Sequence, residues 1–279
     1  MAGPGRRVEM SEVSSMAGDC PEGCGIPANL MVSWGEPKVV FCTHLDTVPP
    51  YIAPSSEITE DGDVKIMGRG SCDAKGQIFA MWEACLELER RGCTDFALLL
   101  LAGEETGSFG AKAFSGSAVA ADDKVVIVGE PTDNHMTSAS KGTKSFEVTF
   151  RGEAFHSGYP QYGRSAVEMF GDFLNALRSI VFPADGILGD TTWNIGRLVS
   201  DNPQNILSDS LTCRVYFRTT FESDLMVCNL MKNMAGPDAR LRFGRSRAQD
   251  GSDMVAKEVA PWQKYMSVKA FGGDTPTVY

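Results

Sequence analysis

The stretch Phe96-Ala-Leu-Leu-Leu-Leu-Ala102 runs directly into Gly103-Glu104-Glu105. Two other short, strand-like runs also end in residues that commonly bind metals: Val39-Val-Phe-Cys-Thr43 at His44-Leu-Asp46, and Lys124-Val-Val-Ile-Val128 at Gly129-Glu130. Apolar runs without polar alternation are typical of central parallel strands that are covered on both faces. The sequence therefore predicts a mostly parallel sheet with ionisable side chains at the ends of three strands.

A helix is predicted between the first two of these strands in chain order, from Lys75 to Arg91. Apolar residues recur there at helical spacing, among them Ile78, Trp82 and Leu88, and Gly92 supplies a C-terminal stop. Strands that alternate with helices predict an α/β fold. Because ligands bind beyond the carboxyl ends of the strands in such folds, the polar residues there are expected to form one site.

A fourth candidate, Asp73, lies in the glycine-rich segment Gly68-Arg-Gly-Ser-Cys-Asp73-Ala-Lys-Gly76, just before the predicted helix. The helix dipole favours an ionised carboxylate at this position, and the glycines allow the backbone to approach a ligand closely. An ordinary helix N-cap is the alternative interpretation. A phosphate-binding loop is excluded, because no Gly-Lys-Ser/Thr follows at the required spacing.

One histidine with several carboxylates is a ligand set that suits zinc, manganese or cobalt. Asp73 could bridge two such ions, and Asp46 could fix the tautomer of His44, although a polar turn at the strand end explains that pair equally well. If the chain remains extended at Glu104 and Glu105, their side chains point in different directions, so that one could bind metal while the other accepts a proton. No Gly-x-Ser-x-Gly nucleophile motif is present.

Composition narrows the class of protein. The 279 residues carry 26 Lys and Arg against 36 Asp and Glu, a net charge of −10, which argues against a nucleic-acid-binding surface. No apolar run approaches the roughly 20 residues of a membrane-spanning helix, and the N-terminus lacks the apolar stretch of a secretory signal. The sequence predicts a cytoplasmic protein without membrane or nucleic-acid partners.

Taken together and in order, the motifs resemble the di-zinc family of acetylornithine deacetylase, succinyl-diaminopimelate desuccinylase, aminoacylase and glutamate carboxypeptidase. The motifs are His44-Leu-Asp46-Thr-Val-Pro, Gly68 to Gly76, Gly103-Glu104-Glu105-Thr-Gly-Ser and Gly129-Glu130-Pro-Thr. The similarity runs from about Val39 onward and looks closest to acetylornithine deacetylase-like members. It implies a hydrolase that cleaves the amide bond of a small N-acyl amino acid or peptide with two divalent metal ions, zinc or else cobalt or manganese.

The resemblance also implies a role for each motif residue. His44 and Glu130 would bind one metal ion, Glu105 would bind the other, and Asp73 would bridge the two. Glu104 would act as the general base, and Asp46 would orient His44.

The middle of the chain resembles the family's inserted lid, a small α/β, ferredoxin-like domain that commonly dimerises. We expect the catalytic domain at 1–143, the lid at 144–242 and a return to the catalytic domain at 243–279. Within the lid, His156 resembles the histidine that reaches an active site, often the partner's, to stabilise the oxyanion. Asn205 and Arg218 match positions that hold the substrate, and a homodimer through the lid is implied.

The sequence departs from the family's pattern near its end. The family's last metal ligand is a histidine beyond the segment that resembles 271–276, whereas no histidine follows His156 here, and both ends look shortened. The second metal site would then lack its usual ligand. Two hypotheses remain at this point: an amidohydrolase, or a non-catalytic or impaired homologue that dimerises and binds a ligand or a single metal ion.

Overall fold

The computed structural model describes residues 5–16, 26–117, 124–235, 239–245, 249–250 and 268–271. The chain divides between Asp133 and Asn134 into two compact units. This division lies ten residues before the predicted end of the catalytic domain at 143. Most of the predicted return segment, 243–279, lies outside the described residues.

The described residues of the first unit form seven strands and two α-helices. Its strands are β1 (Arg6–Glu12), β2 (Ala28–Trp34), β3 (Val39–His44), β4 (Ser55–Ile58), β5 (Val64–Met67), β6 (Phe96–Leu101) and β7 (Val125–Val128). Its helices are α1 (Gly76–Arg90) and α2 (Phe109–Ser115), with short helical turns at Ser14–Met16 and Ser71–Lys75. The three strands and the helix predicted for this region are confirmed.

Five of these strands form one sheet in the order β1-β2-β6-β3-β7, and β4 pairs with β5 in a separate hairpin. The neighbours β6, β3 and β7 are parallel, whereas β2 runs antiparallel to both β6 and β1. The prediction of a mostly parallel sheet is therefore wrong: the sheet is mixed. The long crossovers that contain α1 and α2 make the central strands parallel, and no such crossover separates β2 from β3, so these two strands run in opposite directions.

All six residues of the central strand β6 are buried, which explains why its apolar run does not alternate with polar residues. Leu98 and Leu100 pack on one face with Met81 and Cys85 of α1. On the other face, Leu99 and Leu101 pack in a cluster that includes Ala111 of α2. Helices on both faces exclude water from β6 and fix the position of the loop that follows it.

In the second unit, the residues that the structure describes form seven strands and two α-helices. Its strands are β8 (Met136–Ser140), β9 (Gly142–Arg151), β10 (Thr192–Val199), β11 (Ser210–Thr219), β12 (Ala239–Arg245), β13 (Gln249–Asp250) and β14 (Val268–Phe271). Its helices are α3 (Ala166–Arg178) and α4 (Asp224–Ala235), with a short 3₁₀ turn at Pro160–Tyr162.

An antiparallel sheet in the order β10-β11-β9-β12 forms the core of this unit, and β13-β8-β14 form a smaller sheet. Side chains along β9 alternate between buried and partly buried, which is the pattern of a sheet covered on one face. The buried side packs against both helices through Phe173, Leu177, Val227 and Met231. Ser165 caps α3 by accepting a hydrogen bond from the backbone N–H of Glu168 at 3.4 Å.

Among the described residues, every helix is too short or too polar to span a lipid bilayer.

The first strand is tied to α1 by an ion pair between Arg6 and Glu89. The Arg6 Nε donates to Glu89 Oε1 at 2.9 Å, Arg6 Nη2 contacts Glu89 Oε2, and the indole N–H of Trp34 donates to Oε1 at 3.0 Å. The hydrogen bond from Arg6, followed by that from Trp34, lowers the pKa of Glu89 from 4.5 to about 2.

This lowered pKa predicts a pH-dependent contribution to stability. The stabilisation that the Arg6–Glu89 ion pair gives the folded state is fully present above pH 4.5. It is lost as the pH falls toward 2, because Glu89 is protonated in the unfolded chain at a higher pH than in the folded protein. Glu89→Gln should therefore lower the unfolding midpoint at pH 7 and have less effect at pH 3. Thermal unfolding of both proteins across this range tests it, and an equal difference at every pH would contradict the ion pair's role.

Candidate metal centre and active site

Parallel pairing brings the ends of three strands to one edge of the sheet. His44 of β3 lies opposite Leu101 of β6, and Cys42 of β3 lies opposite Val128 of β7. The ladders continue past the strand ends, because Leu45 N–H donates to the Leu101 carbonyl at 2.9 Å. The polar residues that follow each strand therefore lie together.

His44 is at the centre of this group and only 1% exposed. Its Nε2 lies 2.8 Å from Asp73 Oδ1 and 3.5 Å from Glu130 Oε1. Its other ring nitrogen, Nδ1, is 3.0 Å from the backbone oxygen of Asp46. One imidazole nitrogen is thus held by the backbone, and the other faces two carboxylates.

Asp73 reaches His44 from the helical turn Ser71–Lys75, just before α1. The backbone at Asp73 is extended (φ −124°, ψ 97°), and Lys75 is the N-cap of α1, so Asp73 is neither helical nor the cap of that helix. Gly70 adopts a left-handed conformation with φ +83°, and a Cβ there would lie 2.7 Å from both Lys75 Nζ and Thr47 Cγ2. Only glycine fits this conformation and spacing without displacing its neighbours.

The Asp46 carboxylate lies between His44 and the loop after β6. Oδ1 of this carboxylate lies 3.6 Å from His44 Nδ1, farther than the backbone oxygen of Asp46, which makes the 3.0 Å contact. The two carboxylate oxygens instead accept hydrogen bonds from the backbone N–H groups of Glu104 (3.1 Å) and Glu105 (3.0 Å). Asp46 therefore connects the loop after β3 to the loop after β6.

The sequence argument for diverging Glu104 and Glu105 side chains required an extended chain at these residues. The chain is not extended there. Strand β6 ends at Leu101, and residues 104–107 form a turn, because both backbone N–H groups are directed to one carboxylate. Glu105 joins His44 and Asp73 in a group whose ligand atoms all lie within 4.8 Å of one another. The Glu104 side chain is close enough to this group to share its electrostatic field.

The carboxylates in this group raise one another's affinity for protons. Burial, followed by the charges of Asp73, Glu104 and Glu105, raises the pKa of Glu130 to about 8, although His44 opposes the shift. Burial also lowers the pKa of His44, but the nearby carboxylates of Asp46, Glu130 and Asp73 outweigh this and raise it to about 9. Concentrated negative charge of this kind is stabilised by a cation.

The residues fit a divalent metal ion. Ligand atoms about 2.0–2.2 Å from zinc are at most about 4.4 Å apart, so the group of His44, Asp73 and Glu105 needs little adjustment to bind one ion. Glu130, 3.5 Å from the same imidazole nitrogen, can supply a fourth ligand. An imidazole with carboxylates suits zinc, cobalt or manganese better than a site built only from oxygen ligands would.

The other three predicted site residues belong to the second unit. His156 lies in the turn after β9, accepts a hydrogen bond from Gly158 N–H at 3.0 Å and pairs in an isolated bridge with Ile206. Asn205 is beside it, since its carbonyl accepts from Ser157 N–H at 2.8 Å. Arg218 lies on β11 with its guanidinium 5.1 Å from the ring centre of Tyr216.

Sequence reasoning missed two polar residues that organise the strand ends. Thr43 Oγ1 donates to the carbonyl of Gly129, next to Glu130, at 2.8 Å. The amide of Asn29 on β2 bonds to Ala102 and Gly110, on either side of the Glu104–Glu105 turn. The available signal was an amide within an otherwise mostly apolar run, Ala28-Asn-Leu-Met-Val-Ser-Trp34.

Comparison with known proteins gives one family match that covers most of the chain. Residues 40–248 match the model of peptidase family M20/M25/M40. A protein of Aspergillus terreus named as a probable carboxypeptidase is 39% identical over 197 residues, which are 65% of this chain and 45% of that protein. The chain thus spans about half the length of this relative.

Solved structures share the fold at low sequence identity. A tripeptidase from Staphylococcus aureus superposes with a TM-score of 0.75 at 19% identity and covers 97% of this chain and 76% of its own. A Bacillus subtilis protein described as a dinuclear metal-binding peptidase of the M20 family has a TM-score of 0.56 at 14% identity, covering 97% and 74%.

The geometry predicts an order of metal affinities among three variants. Asp46→Asn should weaken zinc binding by roughly 10–100-fold, because the amide replaces one of the two acceptor oxygens with an NH2 group, which cannot accept a hydrogen bond from the loop N–H that faces it. Asp73→Asn should weaken binding further, since it removes a candidate ligand. Zinc titration of the metal-free protein by calorimetry measures both, with the exposed α1 residue Glu83→Gln as the control. Equal affinities in all variants would rule out this centre.

Proposed function

Because the chain belongs to peptidase family M20/M25/M40, we propose that it is a metal-dependent hydrolase that cleaves the amide bond of a small N-acyl amino acid or peptide. The observation that carries this proposal is the convergence of His44, Asp73 and Glu105 within 4.8 Å, with Glu104 beside them. This arrangement combines a cation site with a carboxylate that is free to transfer protons.

The names of the relatives support this substrate class. A carboxypeptidase cleaves the amide bond that precedes a C-terminal amino acid, and an N-acyl amino acid is the smallest molecule that contains such a bond. Acetylornithine deacetylase-like and carboxypeptidase-like activities are therefore two cases of one reaction. We propose that the substrate carries a free carboxylate next to the bond that is cleaved.

We further propose that the site binds two divalent ions, zinc or else cobalt or manganese. In this two-ion arrangement, unlike the single-ion fit of the same residues, His44 and Glu130 would hold one ion and Glu105 the other, with Asp73 shared by both. When bound, the ions supply Lewis acidity, which acidifies water and polarises a carbonyl oxygen. The 2.8 Å contact between His44 and Asp73 supports their placement around a common ion.

Glu104 is proposed to move the proton that hydrolysis requires. Its carboxylate accepts a proton from the attacking water as the new C–O bond forms, and then delivers that proton to the nitrogen as the C–N bond breaks. Burial and the nearby carboxylates Glu105, Asp46 and Asp73 raise the pKa of Glu104, while His44 opposes this. The backbone N–H bond to Asp46 keeps Glu104 in place during both transfers.

We propose roles in the reaction for three residues of the second unit, as the family resemblance implies. His156 would donate a hydrogen bond to the oxyanion, and Asn205 and Arg218 would hold the substrate, with residues 144–242 acting as lid and homodimer interface. The bonds between the 155–157 and 205–207 segments support a shared role for His156 and Asn205. Arg218 offers the fixed, planar cation that suits a substrate carboxylate.

Glu104→Gln should abolish most turnover without removing the metal. Glutamine keeps the size and backbone of the site but cannot accept the proton, so kcat should fall by roughly 100-fold to 10,000-fold. The assay follows release of free amino acid from N-acetylornithine, N-acetylmethionine and a dipeptide after addition of zinc or cobalt.

Two controls make this test specific. Metal content by mass spectrometry should be equal in the wild type and Glu104→Gln, and Glu83→Gln should retain full activity. A metal-loaded wild-type chain that hydrolyses none of these substrates would contradict the proposed function and favour a non-catalytic homologue.

A mixing experiment tests whether His156 serves the partner's site. His156→Ala and Glu104→Gln should each be inactive alone, but exchanged subunits should recover about a quarter of wild-type activity, because half of the dimers are mixed and each of those has one complete site. Activity is measured before and after the two variants are co-refolded. No recovery would show that His156 does not act across a dimer.

A further inference from the structure

We propose that Asn29 is a positioning residue that holds the Glu104–Glu105 turn through its buried side-chain amide. The residue lies on β2, is 2% exposed and belongs to none of the motifs of the site. Its importance for catalysis rests on the proposed function of Glu104 and Glu105. Its effect on the conformation of the turn is independent of that function.

Both ends of the Asn29 amide are used, and both partners belong to the same loop. Its Oδ1 accepts a hydrogen bond from Ala102 N–H at 3.1 Å, and its Nδ2 donates to the Gly110 carbonyl at 2.8 Å. Ala102 directly follows β6, and Gly110 lies in the first turn of α2. The amide therefore bridges the two ends of the segment that carries Glu104 and Glu105.

Backbone hydrogen bonds close the same segment between these ends. Gly110 N–H donates to the Ala102 carbonyl at 2.8 Å, and Phe109 N–H donates to the Gly103 carbonyl at 3.1 Å. Ser108 N–H donates to the Glu104 carbonyl at 3.0 Å. The segment is thus a compact closed loop, and Asn29 supplies the one side-chain bridge across its base among the hydrogen bonds described.

Gly110 shows how closely the parts of this bridge approach. A Cβ at this position would lie 2.4 Å from Asn29 Oδ1 and 2.5 Å from the Ala102 carbonyl oxygen. Both distances are too short for any side chain, so a residue other than glycine would displace Asn29 or open the loop. The asparagine and the glycine form one unit.

Asn29 and Asp46 hold the turn from different points. Asp46 accepts hydrogen bonds from the N–H groups of Glu104 and Glu105, whereas Asn29 fixes the loop's two ends to the sheet. Without Asn29, no side-chain hydrogen bond among those described would tie Gly110, at the far end of the loop, to the sheet. Catalysis is sensitive to such placement, because a shift of about 1 Å can reduce the rate about 100-fold.

Two variants disrupt the Asn29–Gly110 hydrogen bond, one by changing the donor and one by changing the acceptor residue. Asn29→Asp keeps the size of the side chain and, when ionised, loses the donor to Gly110. Gly110→Ala keeps the amide but places a methyl group against it, although alanine is the better helix former in α2. The control is Val32→Ala on the same strand, which removes buried contacts without touching the loop.

Hydrogen exchange of the metal-free, full-length protein is the first measurement. In both variants, peptides that cover 102–110 should exchange about tenfold faster than in the wild type, while peptides from β6 change little. Val32→Ala should not produce this local difference. If exchange of 102–110 is unchanged in Asn29→Asp and Gly110→Ala, the proposal is wrong.

Zinc affinity and kinetics then test the consequence for the site. Zinc titration of both variants should show a roughly 10–100-fold loss, because Glu105 no longer keeps its place. With the substrate that the wild type hydrolyses best, kcat should fall about 100-fold with little change in KM, below the temperature at which either variant unfolds.

These outcomes separate the two proposals. If the wild type hydrolyses nothing, the proposed function fails, but exchange and zinc affinity still decide the role of Asn29. If the wild type is active and both variants keep wild-type exchange, zinc affinity and kcat, Asn29 is only a satisfied polar residue of the core. If Asn29→Asp does not fold, Gly110→Ala decides alone.

Discussion

Five carboxylates and one imidazole converge at the carboxyl edge of the central strands, and their mutual repulsion is the constraint on which the site depends. Two like charges about 4 Å apart near a protein surface repel by roughly 4 kcal/mol. The protein offsets part of this cost locally, since Asp46 accepts two backbone N–H bonds and His44 lies between Asp46, Asp73 and Glu130. The remaining charge, seen in the raised pKa of Glu130, is neutralised most directly by a bound cation.

A cluster of this kind persists only if the backbone beneath it cannot relax. Strand β6 is buried along its whole length between α1 and α2, and the loop after it is held at its base by Asn29 and at its tip by Asp46. The loop after β3 continues the ladder to β6 through Leu45. The acidic residues therefore lie at the edge of the buried core of the first unit, where moving apart would break core packing.

The comparisons and the geometry support different parts of the conclusion. The family match establishes ancestry over residues 40–248, and the solved structures share the fold at identities too low to transfer a substrate. The cation site and its hydrogen bonds come from this chain's own residues.

The sequence by itself determined the local elements and the residue types of the site. Unbroken apolar runs identified β3, β6 and β7, and helical spacing identified α1, because burial on one or both faces leaves a periodic trace in the chain. The motif order identified the family. His44, Asp73 and Glu105 were predicted as ligands, and the structure brings them together.

Only the tertiary structure decided how distant polar atoms pair. It placed β2 antiparallel beside β6, directed the Asp46 carboxylate to the N–H groups of Glu104 and Glu105, and assigned Asn29 to a loop more than seventy residues away. Periodicity encodes which side chains are buried, but it carries no information about hydrogen-bond partners that are distant in sequence. Those partners are fixed by strand order and loop conformation, which are properties of the folded chain.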